Sequence, residues 1–213
     1  VNIGLFTNLL DLLLSEAKSP GATVSGLELV RKKVSRLVVM GGRREPTTAW
    51  PQEWNFGGCG GEGKGCGTFD NFGEITNSAL KLWPSEVPIT FLDFELGKDV
   101  RAGQKLIDEG REDSPCRRAY EVFCRQVPTW CAHGGRGSWD AMAVMYGARG
   151  PRNWYDELAG HNTVNRSNGA NTFVPVDDST SEYLLERKIQ PDVIAMEIDR
   201  LMLKMPLARP PPP

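Results

Sequence analysis

The chain has 213 residues, 40% hydrophobic and 24% charged, the make-up of a globular protein able to bury one sizeable core. Its 25 Lys and Arg against 27 Asp and Glu leave a net charge of −2, with no basic stripe, which removes the electrostatic case for nucleic acid as the main partner. The apolar runs, such as residues 9–14 and 37–40, fall far short of the ~20 residues a membrane-crossing helix needs, so no membrane partner is expected.

Residues 1–3 read as the end of a strand, 4–7 as a turn, and 8–15 as a helix carrying Leu9, Leu10, Leu12, Leu13 and Leu14. Ser25 and Glu28 have the S-x-x-E spacing of a capping box, in which each side chain bonds the other residue's backbone N–H, and a helix is expected from there to about Lys33. The continuous apolar run Leu37-Val38-Val39-Met40 then reads as a strand buried on both faces, stopped by Gly41-Gly42. Residues 74–83 form the next expected helix, ended by Pro84, and 89–92 the next short strand. Helices follow at about 98–109 and 115–125, the second opened by Pro115; another begins after Ser138 and a last one covers 191–203.

This alternation predicts an α/β fold, an open, mostly parallel sheet with helices on both faces, with ligands at the carboxyl ends of the strands, where Thr7, Met40 and Asp93 fall. One domain is expected over residues 1–205, with a glycine-rich surface insertion at 57–67 and a proline-rich tail at 206–213. Five cysteines with no C-x-x-C pair argue against structural zinc and for reduced thiols in an intracellular protein; Cys59–Cys66 is the one pairing to test. No targeting segment can be read at Val1, which leaves the compartment open with the cytoplasm favoured.

Gly58 to Lys64 has G-x-x-x-x-G-K spacing, but Gly65 follows the lysine where a phosphate loop needs Ser or Thr and a helix, so the match is a coincidence of glycine content. His133 and His161 sit in polar or glycine-rich sequence and take no role. Asp140 falls in the first turn of a helix opened by Ser138, and by spacing alone it complements the helix dipole while Ser138 caps. Glu53 and Asn55, two residues apart, either point into one cleft or belong to a solvated loop anchored by Trp54.

Taken in order, Gly4-Leu5-Phe6-Thr7-Asn8, VSRLVVMGG at 34–42, Glu53-Trp54-Asn55-Phe56, Ser138-Trp139-Asp140-Ala141-Met142-Ala143-Val144 and Gly160-His161-Asn162-Thr163-Val164 resemble the inosine/uridine-preferring nucleoside hydrolase family. The resemblance covers residues 1 to about 203 and implies calcium-dependent hydrolysis of the N-glycosidic bond of ribonucleosides on an open parallel sheet. It implies that the Thr7 carbonyl and the Asp140 carboxylate bind calcium. It further implies that Met40, Glu53, Asn55 and Asp140 line the ribose pocket, and that Trp139, where some members carry a histidine acid, stacks on a purine. Trp139 packing under the helix start is the other reading of that residue.

The family's D-x-D-x-x-x-D-D cluster, which supplies most calcium ligands and the water-activating carboxylate, does not occur in this sequence, and Phe6 stands where proline is usual. Thr7 and Asp140 alone leave calcium, which takes 6–8 oxygens, under-coordinated. The fold is therefore expected to be incomplete at the N-terminus, with an open sheet edge that a homo-oligomer or another partner would complete. Two functions follow: a calcium-dependent ribohydrolase acting on nucleosides, purine ones favoured, or a catalytically inactive relative serving as a binding or structural subunit.

Overall fold

The computed structural model of the protein describes residues 1–18, 21, 23–58, 71–131, 134–177 and 181–204. In chain order it has α1 (Thr7–Leu14), α2 (Gly26–Lys33), β1 (Leu37–Met40), α3 (Trp54–Gly57), α4 (Phe72–Leu82), β2 (Ile89–Leu92), α5 (Phe94–Lys98) and β3 (Arg101–Gly103). Then come α6 (Gln104–Glu109), α7 (Pro115–Gln126), a 3₁₀ turn (Pro128–Trp130), β4 (Gly135–Gly137), α8 (Trp139–Arg149), β5 (Tyr155–Val164), β6 (Asn171–Pro175), β7 (Glu182–Arg187) and α9 (Pro191–Met202).

Where the sequence suggests one domain, the chain divides into two compact units. The first, residues 1–97 with 139–188, holds a five-stranded sheet in the order β1-β2-β7-β5-β6. β1 pairs β2 in parallel and β2 pairs β7 in parallel, whereas β7–β5 and β5–β6 are antiparallel. The fold is thus mixed α/β, and the expectation of a mostly parallel sheet is corrected. The physical reason is that β5, β6 and β7 are half-exposed and interleaved with polar residues, charged ones in β5 and β7, so they lack the continuous apolar run that announces β1 and β2. On the other side of β1, among the described residues, only Asn2 pairs, its N–H donating to the Val38 carbonyl at 2.7 Å and its carbonyl accepting from the Met40 N–H at 2.9 Å.

Local signals and structure agree closely in this unit. Ser25 and Glu28 form the reciprocal capping box that starts α2, and the four side chains of β1 and of β2 are all buried. The core beneath them gathers Phe6, Leu13, Val30, Val39, Ala79, Ile89, Phe91 and Leu184 around Phe56, which meets Phe6 edge-on at 5.5 Å and Phe91 at 6.3 Å. At the amino end of the strands Arg36 donates to Thr90 (3.2 Å), Tyr146 and Glu157, tying α8 to the sheet.

The second unit, residues 98–138 with those from Ile189 onward, is built on the antiparallel pair β3–β4 with α6, α7 and α9. The single helix expected at 98–109 is broken here. α5 stops at Lys98, Arg101–Gly103 becomes β3, and Gly103 turns with φ +100° before α6, its N–H donating to the Asp199 carboxylate at 2.7 Å. Cys124 at the end of α7 is bonded to Cys131, with their Cα atoms 5.3 Å apart, which corrects the expectation of reduced cysteines for this pair. Cys116 is free and exposed; the Cys59–Cys66 pairing, the phosphate-loop-like spacing, most of the glycine-rich insertion, His133 and the 206–213 tail lie outside the described residues.

Treatment of the native protein with a maleimide is expected to label Cys116 without reductant, and Cys124 and Cys131 only after a reducing agent. Peptide mapping by mass spectrometry reads the outcome, and labelling of Cys124 before reduction would remove the disulfide from the description.

Candidate functional site

β1 ends in Met40-Gly41-Gly42, and both glycines are required by what lies against them. A Cβ on Gly41 would sit 2.4 Å from the Phe56 ring, so a side chain there would drive Phe56 out of the core. Gly42 has φ +87°, a left-handed conformation that L side chains rarely adopt, and it turns the chain across the carboxyl end of the sheet. Phe56 sits on Gly41 and draws the 52–58 segment over the end of β1.

That packing places Glu53 and Asn55 at the carboxyl end of β1. Glu53 is the N-cap of the short helix α3, its Oε2 accepting from the Asn55 N–H at 2.8 Å and from the Gly42 N–H at 3.2 Å. Asn55 Nδ2 donates to the Met40 carbonyl at 3.0 Å and lies 3.1 Å from Met40 Sδ. Met40 is 4%, Glu53 6% and Asn55 9% exposed, so the acid and the amide are buried polar groups satisfied by backbone, not members of a solvated loop. Burial pushes the Glu53 carboxyl up from the usual 4.5 to about 7; the Asn55, Gly42 and Phe56 N–H groups pull it back, and the charge of Asp140 pushes it up further. Asp140 lies in the first turn of α8, exposed, and so within electrostatic reach of Glu53.

Of the other two residues expected at strand ends, Asp93 follows β2, whereas Thr7 follows no strand, because residues 1–3, expected to end one, make only the isolated bridge of Asn2 with Val39. Thr7 is half-buried and is the first residue of α1, so helical geometry sends its carbonyl toward the Asp11 N–H, as the Phe6 carbonyl accepts from Leu10 at 2.9 Å. Asp93, 2% exposed, accepts from Leu96 N–H at 2.8 Å and from Arg44 Nε at 2.8 Å; burial raises its pKa against the pull of Arg44. Arg44 also reaches Glu186 (3.0 Å) and the Leu185 carbonyl (2.8 Å), so this strand end is closed by an ion-pair network.

Trp139 is 9% exposed. Its indole stacks on Phe94 with ring centroids 5.2 Å apart, and its Nε1–H donates to the Phe94 carbonyl at 2.7 Å. Gly97 lies so close that a Cβ there would be 2.5 Å from the ring. The Phe94 ring also carries the Arg43 guanidinium 4.3 Å from its centroid. This is the packing reading of Trp139, with Phe94 as its stacking partner. Open aromatic surface is offered by Trp54, 57% exposed between buried Glu53 and Asn55 in the sequence and read there only as a loop anchor, and by Trp50, 58% exposed. His161 lies exposed on β5, and the Ser138 hydroxyl donates to the Arg136 carbonyl at 3.3 Å.

The donor set tests the calcium expectation directly. Among the described residues no three His, Cys, Asp or Glu side chains lie close enough to hold a metal ion. A Thr7 carbonyl engaged in α1 and one Asp140 carboxylate fall far short of the 6–8 oxygens calcium takes. These residues by themselves do not fit the ion.

Comparison with known proteins shows no match to any family model and none to a curated protein.

Glu53 makes stability depend on pH with a defined sign. Below pH 4.5 its carboxyl is protonated in folded and unfolded chains alike; between 4.5 and about 7 the unfolded chain has lost the proton that the folded one keeps, so stability falls as pH rises through that window and is level above it. At 1.36 kcal/mol per pH unit the loss is roughly 3 kcal/mol. Urea denaturation across this range is expected to show that decline in the wild type and its disappearance in Glu53→Gln; equal slopes in both would mean that Glu53 titrates as an ordinary carboxylate.

Proposed function

We propose that the carboxyl end of β1 binds the sugar of a ribonucleoside and that the site is of nucleoside hydrolase type, acting on the N-glycosidic bond with a purine favoured as leaving base. The observation that carries this reading is the convergence of Met40, Glu53 and Asn55 at one strand end, with Asp140 acting electrostatically on Glu53. Ribose hydroxyls both donate and accept, and the side chains gathered here offer an amide, a carboxyl able to hold its proton near neutrality and a carboxylate. The Asp140 carboxylate is suited to a ribosyl cation, whose positive charge grows as the base departs. Trp54 supplies an open ring face on which a purine can stack, the role that the resemblance assigns to Trp139.

Calcium-dependent turnover calls for oxygen donors beyond Thr7 and Asp140, and no step of the reaction is assigned to them. A second reading, a nucleoside-binding or structural subunit without turnover, is favoured by the direction of the Thr7 carbonyl along α1. Among the described residues Asn2 alone pairs with the outer side of β1, so both readings keep a homo-oligomer or a sheet-completing partner.

Calorimetric titration with inosine and adenosine, together with ribose release with and without calcium, separates these readings. Binding with calcium-dependent release supports the hydrolase, binding without release supports the subunit, and no binding under either condition overturns the proposal. Asp140→Ala is expected to weaken binding at least tenfold, about 1.4 kcal/mol, and Trp54→Ala to do the same for purine nucleosides while sparing free ribose.

A further inference from the structure

Asn171, the first residue of β6, is 7% exposed and faces the Gly42 turn from a distant part of the sequence. Its Oδ1 accepts from the Arg43 N–H at 2.7 Å, and its Nδ2 donates to Asn162 Oδ1 on β5 at 3.0 Å. The amide group lies flat against Gly42, where a Cβ would meet all three of its terminal atoms at 3.0 to 3.2 Å. The Gly42 peptide is used at both ends, its N–H by the Glu53 carboxylate at 3.2 Å and its carbonyl by the Phe94 N–H at 2.9 Å.

The β5–β6 hairpin that carries Asn171 is itself anchored to the segment bearing the site. Ala170 bridges Gln52, the residue before Glu53; Asn77 Nδ2 donates to the Val164 carbonyl at 2.7 Å; and Arg166 pairs with Glu74 on α4 at 2.5 Å. Asn171 thus holds the post-β1 turn from one side while its neighbours hold the Glu53 segment from the other. A left-handed turn without such a clamp has no reason to keep its N–H aimed at one carboxylate oxygen, because glycine visits many conformations at similar energy.

We propose that Asn171 is a positioning residue of the site, fixing the left-handed Gly42–Arg43 turn so that the Gly42 amide stays on Glu53 and the Gly42 carbonyl on Phe94. The role is indirect, since Asn171 acts through the turn. Its bearing on nucleosides rests on the function proposed above, whereas its hold on the turn does not.

Hydrogen exchange measured amide by amide tests the hold without any ligand. In Asn171→Ala the Gly42, Arg43 and Asn55 amides are expected to exchange at least tenfold faster, while Phe91 in the middle of β2 is unchanged. Asn171→Asp, which keeps an oxygen for the Arg43 N–H, is expected to restore most of the protection. Uniform acceleration, or none at Gly42, overturns the proposal, as does a failure of Asp to rescue a folded Ala variant. Should Asn171→Ala not fold, Asn162→Ala decides, since it leaves the Asn171 Oδ1 in place for the Arg43 N–H and removes only the acceptor that anchors Asn171 Nδ2: faster exchange confined to Gly42 and Arg43 supports the clamp, and none overturns it. Inosine titration of the same variants adds the functional arm. A tenfold weaker Kd in Asn171→Ala, recovered in Asn171→Asp, extends the role to the site. Wild-type protein that binds no nucleoside defeats the nucleoside reading, and the exchange pattern still decides Asn171.

Discussion

The bond between the Gly42 amide and the Glu53 carboxylate is the constraint on which the candidate site depends. It joins the end of a core strand to the start of a four-residue helix too short to be stable alone, and it exists because Phe56 anchors that helix under Gly41. A fully buried phenylalanine contributes about 3 kcal/mol through its apolar surface, comparable to the roughly 3 kcal/mol that keeping a buried carboxyl away from water costs at neutral pH. The aromatic contact and the backbone donors together therefore offset the burial of Glu53. The acid is held in a cleft that would otherwise expel it, and it retains a proton far above the pH at which a solvated glutamate would lose it.

The mixed sheet serves the same end. Its parallel half, β1-β2-β7, brings three carboxyl ends together, and two of them are already closed in opposite ways: Asp93 and Arg44 lock the end of β2 to Leu185 and Glu186 of β7. The end of β1 is left as the place where buried polar groups are satisfied by backbone while an exposed carboxylate, Asp140, stands nearby. Its antiparallel half supplies the hairpin that reaches across the top of the sheet, so that Asn171 and Ala170 meet the turn and the segment that carry the site. Residues more than a hundred positions apart are coupled there through a hydrogen bond of ordinary length from a backbone N–H to a side-chain amide.

Much of this was legible where the chemistry is local. The S-x-x-E box at Ser25 and Glu28 starts α2, and the uninterrupted apolar runs are β1 and β2. The hairpin was not legible, because β5 alternates buried with half-exposed and charged residues and carries no continuous apolar signature. The expected 98–109 helix is broken where α5 stops at Lys98 and β3 intervenes, and Gly103 restarts it as α6 through a left-handed turn that glycine permits but does not demand, so periodicity could not distinguish the two outcomes. Asn171 has no motif around it. Its role arises from a side chain bonding a backbone N–H far away in sequence, an interaction that leaves no pattern in a single chain.

The two tryptophans show how position in a motif and position in space can part. Trp139 precedes Asp140 and stands where the resemblance puts a residue facing the base, yet its Nε1–H is used by the Phe94 carbonyl and its ring lies on Phe94, leaving 9% of it to solvent. Trp54 lies between the two buried polar residues of the site and leaves more than half its surface open. An aromatic ring that already has a stacking partner and a satisfied N–H gains little from a second ring, whereas one held in water gains the full apolar contact when a flat ring covers it. Under the proposed function, recognition of the base therefore moves to Trp54, and Trp139 becomes a packing residue at the start of α8.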